Sequence, residues 1–114
     1  MQNVLFATSA GKPVGMLVYL IKSAQKIRHI ANIYGVYVSP QHRGQGIGKQ
    51  LLEAALAEIV QSKQVKKINL HVNPEQLAAK RLYENYGFEP VGILRNDLFV
   101  NDRFYDELVM EKHL

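Results

Sequence analysis

The chain has 114 residues, enough for one domain (residues 1–114) with a modest core, and its 47% apolar content is ordinary for a globular protein. With no cysteine it excludes disulfides, thiolate metal sites and a cysteine nucleophile; with no apolar run of spanning length and no signal-peptide pattern, the expectation is a cytoplasmic protein without membrane partners. The net charge of +4 is uneven: residues 1–52 hold Lys12, Lys22, Lys26, Arg28, Arg43, Lys49 and no acid, which suits that half to a polyanion.

In chain order, residues 4–8 are short, apolar and β-prone, and residues 9–13 have turn composition. Residues 14–21 read as a central strand, apolar on both sides. Residues 22–28 form a connection whose bases make a solvated tip, and residues 29–38 form a third strand, with Gly35 marking a bulge or a close backbone approach. A helix is predicted over 45–63, where Leu51, Leu52, Ala55, Leu56 and Ile59 make one apolar face. Residues 65–73 alternate as a strand. Asn73 then reads as an N-cap, Pro74 as the first helical position and Gln76 as the closing member of a capping box. This second helix ends at Gly87, a left-handed C-cap, with Phe88 folding back on it. Residues 91–100 and 103–111 form a hairpin across Asn101-Asp102. The order βββαβαββ makes an α/β protein of the α+β type with a mixed, mostly antiparallel sheet, since one strand–helix–strand crossover demands a parallel pair.

Between the third strand and the first helix lies Val38-Ser-Pro-Gln-His-Arg-Gly-Gln-Gly-Ile-Gly-Lys49. Glycines let a backbone approach a ligand closely, and a helix start directs unpaired N–H groups and partial positive charge outward. Together they favour phosphate, and Arg43 adds a forked donor. The spacing fits neither a P-loop nor a dinucleotide fingerprint. It does fit Arg/Gln-x-x-Gly-x-Gly/Ala through Arg43, Gly46 and Gly48, and Leu82-Tyr83-Glu84-Asn85-Tyr86-Gly87-Phe88 supplies a second signature. In both stretches, and in their order, the chain resembles the GNAT superfamily of acyl-CoA-dependent N-acetyltransferases over about residues 4–112.

The resemblance implies an enzyme that moves an acetyl group from acetyl-CoA directly to the primary amine of a small molecule, an amino acid or a protein. It implies a third strand that splays from its neighbour and pairs with the pantetheine arm through Val36, Tyr37 and Val38. Phosphate falls to Arg43, Gly44, Gln45, Gly46, Ile47, Gly48 and Lys49, and Tyr83 becomes the proton donor to the leaving thiolate. Relatives often carry Asn where Gln76 stands; Gln76 either binds the pantetheine or caps its helix. No carboxylate lies on the third strand, so the base is open: Asp97, Asp102 and Asp106 are candidates by type, a water chain is another route, and His29, His42 and His71 read as solvated or structural. No His/Asp/Glu group has metal-ligand spacing, so no metal is expected. The family usually opens with one more strand and two short helices that help build the acceptor site. Without them the first strand is an unprotected edge beside an uncovered apolar face, from which a homo-oligomer or a further N-terminal segment is expected. The alternatives are a non-catalytic acyl-CoA-binding module and, more weakly, a nucleic-acid binder, for which no recognised motif is present.

Overall fold

Two-residue turns set the register of both hairpins in the computed structural model, which describes residues 2–114. Strands β1 (Gln2–Ser9) and β2 (Lys12–Ile21) join through Ala10 and Gly11, with φ of 51° and 78°. Strands β5 (Glu89–Val100) and β6 (Arg103–His113) join through Asn101 and Asp102, with φ of 51° and 60°. Two consecutive positive φ values make the turn whose twist matches that of paired strands, so the expected Asn101-Asp102 hairpin forms with Val100 opposite Arg103.

Strands β3 (Ile30–Val38) and β4 (Lys67–Val72) complete a six-stranded sheet of order β1-β2-β3-β4-β6-β5. Only β3 and β4 run parallel; they are the two strands joined by the crossover helix α1 (Ile47–Gln61). The mixed, mostly antiparallel architecture read from the sequence is therefore the one observed, with β2 internal to the sheet. It differs in one respect: β2 is buried on one face only, and Met16 is 38% exposed on the other.

Leu51, Leu52, Ala55 and Ile59 of α1 and Tyr83 of the second helix, α2 (Leu77–Asn85), share a single core with Leu17, Ala31, Ile33, Ile68, Leu70 and Met110. Because side chains alternate along a strand, these positions place both helices on one face of the sheet. Asn32, Asn69, His71 and Val109 alternate with core residues and so lie on the other face. There Val4, Phe6, Met16 and Tyr37 are exposed, and no helix among the described residues covers them.

The helix limits carry two corrections. α1 starts at Ile47 rather than 45 because Gly46 is left-handed (φ 79°), and Lys63 (φ 61°) turns the chain out after its end. α2 does not start at Asn73-Pro74. The Asn73 Oδ1 accepts the Glu75 N–H at 2.9 Å and the Asn73 carbonyl accepts the Gln76 N–H at 2.9 Å, closing a turn of its own. Asn side chains favour this local bond two residues on. The helix then begins at Leu77, with Gln76 at the N-cap position but making no side-chain cap, so the expected capping box is absent. The other end matches expectation. The Phe88 N–H reaches the Tyr83 carbonyl at 3.1 Å, the Gly87 N–H reaches Glu84 at 3.0 Å, and Gly87 has φ 89°. That is the Schellman arrangement, with the Phe88 ring packed edge-on to Tyr83 at 6.0 Å.

Candidate functional site

Strand β3 leaves β4 half-way along. Their ladder runs from Ile30 opposite Lys67 to Ile33 opposite Leu70; beyond it β3 continues to Val38 and β4 to Val72 without pairing. The divergence coincides with a bulge. Between β2 and β3 the register slips at Val18/Tyr19, leaving Tyr34 as an extra residue next to Gly35. A bulge bends its strand and increases local twist, which carries the far half of β3 away from β4. Val36, Tyr37 and Val38 are consequently paired with β2 on one edge and with no strand on the other.

The chain leaves this free edge through a braced corner. The Ser39 N–H donates to the Val14 carbonyl at 2.8 Å, a short 3-10 turn spans Pro40–His42, and Ser39 Oγ lies 2.7 Å from His42 Nδ1. The Arg43 Nε donates to the Val38 carbonyl at 3.1 Å, which holds the guanidinium over the end of β3. Gly44 and Gly46 both have φ 79°, a conformation L side chains rarely adopt. No side chain caps α1, and its first turn has no acid. The first intrahelical bond is Gln50 N–H to Gly46 at 3.0 Å, so the backbone N–H groups of Ile47, Gly48 and Lys49 have no intrahelical partner. A run of free donors at a helix start beside a guanidinium can hold an anion such as phosphate.

The expected loop residues thus form one continuous exposed surface with the free edge of β3, with two distinctions. Ile47 is half-buried and packs against the core. Gly48 has no positive φ; a Cβ there would meet Val36, Val38 and Leu82 at 3.8–3.9 Å, so this position faces inward. Close approach is needed instead at Gly15 of β2, where a Cβ would lie 3.0 Å from Ile47, 3.1 Å from Leu51 and 3.2 Å from the Tyr37 carbonyl. Gly15 therefore sets how near the start of α1 sits to the sheet.

Tyr83 is 6% exposed on α2, on the helix face of the sheet. Its hydroxyl makes no hydrogen bond among the described residues, and burial raises its pKa above the usual 10, so it holds its proton at neutral pH. Gln76 is exposed and its side chain makes no hydrogen bond among the described residues.

The opposite face holds a feature that sequence spacing did not disclose. A cleft of about 450 Å³ opens where the β3–β4 ladder ends, lined by Asn32, Tyr34, Asn69, His71 and Glu107 among others. His71 Nδ1 lies 3.2 Å from Glu107 Oε1, and donor atoms of His71, Asp97 and Glu107 fall within 4.8 Å of one another. Burial raises the Glu107 pKa, as does the neighbouring Asp97 carboxyl group, while His71 works the other way. Asp97 was a candidate by type; Glu107 was not singled out, and His71 read as structural. The other two type candidates lie elsewhere: Asp102 is in the hairpin turn, and Asp106 accepts the Asn96 N–H at 3.0 Å.

The chain matches the acetyltransferase (GNAT) family over residues 2–88. It is 33% identical over 78 residues to a spermidine N(1)-acetyltransferase of Vibrio cholerae, covering 68% of this chain and 45% of that one. Among solved structures it resembles a GNAT-family acetyltransferase of Streptococcus pneumoniae, with a TM-score of 0.90 and 25% identity over 99% of this chain and 67% of that one. It also resembles a ribosomal-protein-alanine N-acetyltransferase of Brucella melitensis, with a TM-score of 0.85 and 30% identity over 97% and 68%. The chain spans about half the length of the curated relatives it matches. No helix among the described residues is long and apolar enough to cross a membrane.

Proposed function

Since this chain belongs to the GNAT acetyltransferase family, we propose that it transfers an acetyl group from acetyl-CoA to a primary amine within a ternary complex. The observation that carries this reading is the run of N–H groups without intrahelical partners at the start of α1, Ile47 to Lys49, at the end of an unpaired strand edge. The CoA pyrophosphate sits on that run beside Arg43. The pantetheine amides take up the free edge at Val36, Tyr37 and Val38. An N–H of the same edge receives the charge that grows on the thioester oxygen during attack. Tyr83, protonated at neutral pH, supplies the proton that the departing CoA thiolate needs. Gln76 binds the pantetheine end of the donor or serves only the helix start; the two differ in whether Gln76→Ala changes acetyl-CoA affinity.

The acceptor belongs to the class of primary amines that the relatives' names span, from a polyamine to a protein α-amine. A cytoplasmic location and self-association complete the reading. The second is supported by Val4, Phe6 and Met16, exposed side by side on β1 and β2 at a sheet edge. A monomeric mass across a concentration series in analytical ultracentrifugation would refute self-association.

Calorimetry with acetyl-CoA tests the central reading. One site per chain is expected. Removing the Arg43 guanidinium in Arg43→Ala deletes a charged hydrogen-bond donor, worth about 1.5–3 kcal/mol, hence about a tenfold or greater loss of affinity. Gly46→Glu places a side chain and a negative charge in the anion site and should abolish binding. A folded wild-type chain that binds no acetyl-CoA would overturn the proposal. Binding without CoA release across a panel of primary amines would favour the non-catalytic module.

A further inference from the structure

Two connections meet at the end of the sheet that lies away from the anion loop. One is residues 22–29, between β2 and β3; the other is residues 62–66, between α1 and β4. They are clamped together. The Gln64 Nε2 donates to the Arg28 carbonyl at 3.0 Å, and the His29 carbonyl accepts the N–H groups of Lys66 at 2.7 Å and Lys67 at 3.2 Å. The first connection is also closed on itself, with the Ile27 N–H on the Ala24 carbonyl at 3.0 Å and the Ile30 N–H on the Ile27 carbonyl at 2.9 Å. The fold thus joins Lys26 and Arg28 to Lys63 and Lys66 in one exposed basic ridge. No such stripe shows in the sequence, where Arg28 and Gln64 stand 36 residues apart.

Little neutralises this ridge. Neither connection contains an acid, and none of the four cations is ion-paired among the described residues. The acids at the adjoining ends of α1 and β6 are engaged: Glu58 accepts the Tyr19 hydroxyl at 2.7 Å, and Glu111 holds Lys67 and His113, each at 3.0 Å. Lys63 stands on the ridge at a cost. Its φ of 61° crowds an L side chain and would suit glycine. A strained position of this kind points to a use for the side chain that occupies it. Beside the cations lie Ser23, Gln25, Gln61 and Ser62, neutral donors of the kind that join Lys and Arg on phosphate oxygens. Neither connection carries Phe, Tyr or Trp. Single strands are held by stacking bases on such rings, and protein partners and membrane interfaces also favour them as anchors. The phosphates of a duplex need only the cations.

We propose that this ridge binds the phosphodiester backbone of a nucleic-acid duplex through Lys26, Arg28, Lys63 and Lys66, without reading its bases. RNA and DNA duplexes share that chemistry, and the test separates them. The ridge and the Arg43 loop lie at opposite ends of α1, whose 15 residues at about 1.5 Å each span roughly 22 Å. The two anion surfaces are therefore filled independently. The inference goes beyond the acetyl-transfer reading and does not depend on it.

The test is fluorescence anisotropy of labelled RNA and DNA duplexes of about 20 bp, of mixed sequence, read from about 50 to 200 mM salt. Four phosphate contacts predict that wild-type affinity for the DNA duplex falls about 150-fold over that range. In Lys63→Gly, one contact fewer reduces the fall to about 40-fold; with Lys26→Gln, Arg28→Gln and Lys66→Gln combined it is only about threefold to fourfold. Glycine takes the Lys63 backbone conformation freely, so Lys63→Gly keeps its fold and its loss of binding reports the cation. Lys12→Gln removes the same charge at the opposite end of the sheet, where β2 begins, and should bind as wild type does. Saturating acetyl-CoA should displace neither duplex. Saturable binding to either duplex with this pattern of variants supports the proposal, and the tighter of the two names the source. No binding at the lowest salt, equal losses in Lys63→Gly and Lys12→Gln, displacement by acetyl-CoA, or tighter binding to phosphatidylserine vesicles or to a single strand than to both duplexes would each overturn it. A chain that binds a duplex but no acetyl-CoA would leave the ridge standing and sink the acetyl-transfer reading alone.

Discussion

Gly15→Ala is the substitution that most directly couples the packing of this sheet to its anion site. The added methyl would lie 3.0 Å from Ile47 Cγ2, 3.1 Å from Leu51 Cδ1 and 3.2 Å from the Tyr37 carbonyl. Comfortable carbon contacts are about 3.5–4.0 Å. The two side-chain ends can rotate away, but the carbonyl belongs to β3, which is fixed through Tyr37 opposite Met16 and Val38 opposite Gly15. The strain is therefore relieved mainly by lifting the first turn of α1. Overpacking of this kind costs about 1–3 kcal/mol. For a domain of this size each kcal/mol is about 4 °C in Tm, so a fall of roughly 4–12 °C is expected by calorimetry. Urea unfolding should show a lower midpoint with an unchanged slope. Acetyl-CoA affinity should fall in the same variant, because the displaced turn carries the N–H groups of Ile47 to Lys49. Gly48→Ala is the matched control. Its methyl meets neighbours only at 3.8–3.9 Å and its φ is not positive, so relief of glycine's chain entropy should raise stability by up to about 1 kcal/mol with binding retained. A Gly15→Ala protein as stable as wild type, or a Gly48→Ala protein that loses stability and binding together, would refute this account of what the two glycines do.

Tyr83→Phe removes the proton donor while keeping the ring against Phe88; turnover should fall about a hundredfold or more with acetyl-CoA affinity unchanged, and an unaltered rate in stopped-time CoA-release assays would end the assignment. Gly87→Ala forces an L side chain into φ 89° and brings its methyl to 2.8 Å from Lys112 Nζ. The lysine tip can move aside, so the left-handed backbone dominates, and a loss of about 1–2 kcal/mol is expected in chemical denaturation.

The parts of the molecule legible in the sequence are those determined within one turn or one ladder. The αL residue Gly87 with Phe88 behind it, the Asn101-Asp102 hairpin and the apolar stripe of α1 all depend on neighbours fewer than eight residues away, and all form as read. The loop from Arg43 to Lys49 is legible for the same reason. Asn73 misled because the same side-chain oxygen that caps a helix can close a turn, and which occurs is decided by where Leu77 to Tyr83 must sit against the core. The cleft was out of reach for a different reason. His71 and Glu107 are 36 residues apart and meet only because β4 and β6 are adjacent, while Asp97 joins them through an irregularity that no turn signal announces. The uncovered face followed from the count of elements, with two helices for six strands, and Phe6 at 60% exposure shows how open it is.

The short parallel ladder has a mechanical meaning. Two antiparallel leaves, β1–β3 and β4–β6, are stitched side by side by only four residue pairs, Ile30 to Ile33 against Lys67 to Leu70. That seam is a spine, and the leaves open from it like the covers of a book. An elongated guest lying between the covers becomes part of the binding, tying one leaf to the other along the length where the protein has no stitches of its own.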